Sequence, residues 1–124
     1  MDEGSQLDDY RCTLRKLAVR DDRYIEALLQ SDRESAARAG IDPQAHALVR
    51  MGALIAVNAA PPAYMNAVED ALAAGASHEQ IVGTLIAVLP LVGEARVVSA
   101  APNLGLALGY DVGDALEAVE REPV

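Results

Sequence analysis

The chain has 124 residues, 52% of them hydrophobic but only 3% aromatic, and a formal charge of −9. That length fits one domain with a core built from Ala, Val, Leu and Ile, and the charge excludes the basic stripe that nucleic acids and anionic membrane surfaces require. Cys12 is the single cysteine, so no internal disulfide can form and nothing calls for an oxidising compartment.

Met1-Asp2-Glu3-Gly4-Ser5 is acidic and polar, unlike a secretory signal. The longest uncharged stretch, Met51 to Val68, carries Asn58 and the Pro61-Pro62 pair, which argues against a membrane span. A cytoplasmic protein is the expectation.

Period-2 alternation is missing and Ala and Leu dominate, so the chain reads as all-α, a single domain over 1–124. The first helix spans about Leu7 to Ala18, with Leu7, Tyr10, Leu14 and Leu17 on one stripe. A second starts near Asp21 or Asp22, carries Tyr24, Ile25, Leu28 and Leu29, and continues weakly to Ala39, where Gly40 supplies a stop. Asp42 is the N-cap of the third, with Pro43 in its first turn. Past Arg50 this helix is apolar on every side and is expected to be buried all round.

Pro61-Pro62 ends the third helix or begins the fourth, which runs from about Pro62 to Ala74 and stops at Gly75. Its start is where open N–H groups and the helix dipole favour anionic or reactive chemistry. Ser77 caps the fifth helix with Gln80 as capping-box partner, and Pro90 and Gly93 break it. The sixth runs from Glu94 towards Leu108, kinked at Pro102 and closed by Gly109. Asp111 caps a last short helix ending near Glu120, and the tail Arg121–Val124 is expected to fray. A core of small side chains buries little area per residue, so association with further copies is expected.

Two stretches, Asp42-Pro43 with Leu48-Val49-Arg50-Met51-Gly52-Ala53-Leu54, and Ala71-Leu72-Ala73-Ala74-Gly75-Ala76-Ser77-His78-Glu79-Gln80-Ile81, resemble the carboxymuconolactone decarboxylase and alkylhydroperoxidase D-like superfamily. Val92-Gly93-Glu94-Ala95-Arg96 and Leu106-Ala107-Leu108-Gly109-Tyr110-Asp111 resemble its downstream half. The similarity covers about residues 41–112, preceded by the N-terminal helices of residues 7–39. It implies an all-α bundle of about six to seven helices, a homo-oligomer (commonly a trimer or hexamer), and a site where the fourth helix starts against the third. In the peroxidase branch that site holds two cysteines separated by two residues and a histidine four residues after the second. Those positions fall on Ala60, Ala63 and Ala67, and a family glutamate falls on Leu48. The decarboxylase branch also has a histidine at the position of Ala67.

Alanine supplies no thiolate and no general acid or base. The expectation is a cofactor-independent, decarboxylase-like enzyme on a small anionic organic substrate, without dithiol chemistry. The alternative is a non-catalytic ligand-binding or structural oligomeric module; the third reading is the alkylhydroperoxidase activity of the family name. No cofactor and no metal site are expected.

Tyr64 is the catalytic candidate, able to donate to a ligand oxygen or to serve as a packing residue with a bonded tip. His46 and Arg50 share a face of the third helix, either lining an anion pocket or forming a solvated surface. Asn66 stands beside Tyr64 at the entrance to the fourth helix. Glu94 and Arg96 are the only charges in the run from Ile81 to Ala101. Glu94 suits a helix first turn, and Arg96 serves either a subunit interface or an anionic ligand.

Overall fold

The computed structural model describes residues 3–121, with side chains over 10–119. The Leu7 side chain and the segment 122–124 lie outside these, and so do the expectations placed on them. Every element among the described residues is helical. They are α1 (Glu3–Ala18), α2 (Asp22–Gln30), a 3-10 turn (Asp32–Glu34), α3 (Ser35–Ala39), α4 (Pro43–Ala56), α5 (Pro61–Ala73), α6 (His78–Val92), α7 (Glu94–Ala107) and α8 (Val112–Arg121). No helix is long and apolar enough to cross a membrane.

The chain divides into two compact units, Met1–Gly40 and Ile41–Val124. In the first, Asp21 caps α2 by accepting from the Tyr24 N–H at 3.1 Å. The Lys16 ammonium lies 4.9 Å from the Tyr24 ring centroid and so ties α1 to α2. Tyr10, Leu14 and Leu17 remain exposed. The expected single helix from Asp22 to Ala39 is interrupted at Ser31, whose Oγ donates to the Ala27 carbonyl at 2.9 Å. A serine that bonds back to its own helix offers the backbone an alternative to another helical turn. Gly40, at φ +71°, closes α3.

The second unit is held together by Met51 and Ile55 of α4, Tyr64, Val68 and Ala71 of α5, Ile81 and Leu85 of α6, and Ala100 and Leu104 of α7. Its helix starts follow local chemistry. Asp42 accepts from the Ala45 N–H at 3.1 Å, Asp111 from the Asp114 N–H at 3.1 Å, and Ser77 and Gln80 close a reciprocal capping box. At the end of α5, Ala76 N–H donates to Ala71 O and Gly75 N–H to Leu72 O, both at 3.0 Å, with Gly75 at φ +95°. This is a Schellman closure, and it needs a residue that tolerates positive φ.

Two expectations are corrected here. Pro90 does not break α6, which continues to Val92. The proline removes one internal N–H, but Gly93 N–H still reaches Leu89 O at 3.0 Å. The stop is Gly93, whose φ of +91° and ψ of 162° are open essentially to glycine alone. Nor is α4 buried all round past Arg50: Ala53 is exposed, as is Val57 at its C-cap, because α5, α6 and α7 cover only part of its circumference. Pro102 lies inside α7, which runs on to Ala107.

Where α4 crosses α6, Gly52 lets the helices approach. A Cβ there would stand 3.3 Å from Val88 Cγ1 and 3.7 Å from Thr84 Cγ2.

Candidate functional site

The site implied by the resemblance is the start of α5 against α4. Ala60 is the N-cap and offers no side-chain bond. Pro61 and Pro62 occupy the first two helical positions, so two of the donors a helix start leaves open are absent. The Ala63 N–H is already engaged, donating to Ala60 O at 3.0 Å. The expected anion-attracting terminus is therefore depleted of N–H groups by the two prolines.

Tyr64 is fully buried, at 0% exposure. Its hydroxyl donates to the Leu54 carbonyl at 3.3 Å. That carbonyl also accepts the Ala59 N–H at 3.0 Å, part of the closure in which Asn58 takes φ +54°. Tyr64 thus clamps the end of α4 to the start of α5. Burial pushes its hydroxyl above the usual tyrosine value.

The other candidates lie on the surface or near it. His46 is half-buried and Arg50 exposed on α4; Asn66, Glu94 and Arg96 are exposed. Arg96 shares a face of α7 with Ser99 and Asn103. Ser99 Oγ donates to Asn58 Oδ1 at 3.1 Å, and Asn103 Nδ2 to Ser99 O at 3.5 Å. Cys12, in the first unit, has the Arg15 guanidinium 3.9 Å from its sulfur. Among the described residues no group of three or more His, Cys, Asp or Glu side chains could hold a metal ion.

A concavity of the second unit lies elsewhere. It is an open groove of about 480 Å³ between α4 and α6, lined by Leu48, Val49 and Gly52 on one side and Gln80, Gly83, Thr84, Ala87 and Val88 on the other. None of the six candidate residues reaches it. At one end Gln80 Oε1 accepts from Ser77 N–H at 2.9 Å and from Gln44 Nε2 at 2.6 Å, so its carbonyl is already engaged. The Thr84 hydroxyl donates to Gln80 O at 3.3 Å. Sequence reasoning did not pick out this groove. The signal available was Gly83, a glycine in the middle of a helix with no turn to make.

Comparison of the chain with known protein families, with curated proteins and with solved structures finds no match.

Proposed function

We propose that this chain is a non-catalytic, self-associating helical module that resembles the alkylhydroperoxidase D-like fold over residues 41–112. The observation that carries the reading is Tyr64. It is the one hydroxyl at the implied site, and it is sealed in the core and engaged by the Leu54 carbonyl. Around it Ala60, Ala63 and Ala67 bring no acid, base or nucleophile. Leu48, at the position of the family glutamate, lines the apolar groove instead. A dithiol peroxidase is disfavoured on the same grounds, because Cys12 is the single cysteine. The test has two arms. Light scattering on the purified chain gives a mass of two or more copies, and a peroxide assay with a dithiol reductant gives no turnover. A monomer at micromolar concentration, or turnover abolished by Cys12→Ser, refutes the reading.

One observation favours a second reading, a cofactor-free enzyme on a small anionic substrate. The strip Arg96, Ser99 and Asn103, joined to Asn58, presents a guanidinium beside amide and hydroxyl groups. Simple mono- and dicarboxylates should then shift the NMR resonances of these residues in a saturable way that Arg96→Gln abolishes. Absence of saturable shifts removes this reading.

A further inference from the structure

We infer that residues 10–40 form an order–disorder element: their helices have no core of their own and hold only while a body outside the segment covers the exposed leucines of α1 and α2. Burial carries this first. No residue from Tyr10 to Gly40 is buried, whereas the buried residues of the described chain all lie between Ala47 and Leu104. The second unit can only remove surface from the first, never add to it. Standing alone, the first unit therefore buries no more than this, however the two are disposed. Ordering a residue costs conformational entropy that apolar burial has to offset. Here that offset is missing, with Leu14 of α1 at 59% and Leu29 of α2 at 76% exposure.

Length is the second argument. α2 has 9 residues and α3 has 5, both below the about 12–15 at which an isolated helix is even marginal in water. A body of about 40 residues usually relies on a disulfide, a metal or association. Cys12 is the single cysteine of the chain. Among the described residues no group of three or more His, Cys, Asp or Glu side chains could hold a metal ion. Contact with something outside the segment is what remains.

The ties inside the segment do not replace a core. Asp21 caps α2 through the Tyr24 N–H, and Lys16 lies over the Tyr24 ring. Arg20 meets Asp22 at 3.5 Å and Arg38 meets Glu34 at 3.6 Å, both pairs at the surface, where water and salt screen them. Each of these joins residues eight or fewer positions apart. They shape a turn or steady one helix without closing a body. The second unit differs in kind, with buried side chains contributed by α4, α5, α6 and α7. The two units are therefore unequal: one holds itself, and the other is ordered by what covers it, as switching segments are.

The test is hydrogen exchange followed by mass spectrometry on the full-length chain, with the double variant Leu14→Gln/Leu29→Gln alongside. Glutamine is close to leucine in helix propensity, and both leucines are exposed within the segment. The variant thus leaves α1 and α2 as able to form as before and removes what an outside body would grip. Amides of α4 and α6 in the same spectra are the folded reference. Two results support the inference. Either α2 and α3 of the wild type exchange within about tenfold of an unstructured chain, or their protection is higher and falls at least about tenfold in the variant. Wild-type protection above that level that the double variant retains overturns it, because the segment would then be holding itself. Both expectations are the same for a monomer and an oligomer, so the outcome bears on this segment and not on the assembly reading.

Discussion

Replacing Tyr64 by phenylalanine separates a structural hydroxyl from a functional one. The change removes a single oxygen from a side chain at 0% exposure and leaves the ring in place. The partner lost is the Leu54 carbonyl at 3.3 Å. That carbonyl keeps the Ala59 N–H at 3.0 Å, so it is not orphaned. The loss is thus that of one ordinary hydrogen bond, about 1 kcal/mol, rather than the about 1–3 kcal/mol of an unsatisfied buried group. In a body the size of Ile41–Val124 this lowers Tm by about 4–8 °C. Tyr64→Ala removes the ring as well and should cost about 3–5 kcal/mol, a large share of the about 4–13 kcal/mol such a body possesses.

The same hydroxyl sets a pH dependence. Its folded value is raised by burial, so the stability it contributes is fully present below the unfolded value near 10 and is lost as pH rises through the folded value. The gap between wild type and Tyr64→Phe should narrow above about pH 10, because phenylalanine has no proton to lose. Urea denaturation followed by circular dichroism at neutral and alkaline pH measures both effects. A neutral-pH difference near zero, or a gap that widens with alkali, refutes the clamp role assigned to Tyr64.

The remaining glycine prediction is a matched pair of alanine substitutions. Gly105→Ala should destabilise by about 1–3 kcal/mol in urea melts, since its Cβ would press on the Tyr110 carbonyl at 2.8 Å and Val112 Cγ2 at 3.2 Å, where α7 closes before α8. Gly83→Ala should stabilise by up to about 1 kcal/mol, since nothing stands within 4 Å of the position its Cβ would take; a loss there would mean that the fold needs this glycine.

Much of the architecture was legible because its signals are local. Asp42, Ser77 and Asp111 each satisfy N–H groups within three residues, and Gly75 closes a helix through its own φ. Such events depend on the sequence immediately around them. The interruption at Ser31 was also local, but in the Ser-Asp-Arg-Glu run Arg and Glu favour a helix interior while Ser and Asp favour a cap, so composition did not decide it. What the sequence could not convey was which apolar faces meet their own chain. The apolar residues of α4 and its C-cap divide between Met51 and Ile55, inside the core, and Val49 and Val57, outside it. Periodicity marks all four as candidates for burial and is silent on the partner.

The same silence explains the outcome at the site. Tyr64 stood out because it was a hydroxyl at a helix entrance. Its surroundings decide its role: the nearest acceptor is a carbonyl at the end of α4, reached only because Asn58 turns the chain back through φ +54°. The acceptor, Leu54, is ten residues upstream of the donor, and the two prolines between them strip the helix start of two of the N–H groups that would have held an anion. Polar chemistry at the start of α5 is therefore consumed in joining α4 to α5, while α6 carries no charged side chain from Gln80 onwards. On the reading proposed above, this division leaves the start of α5 as a structural joint, with Tyr64 holding it to the end of α4.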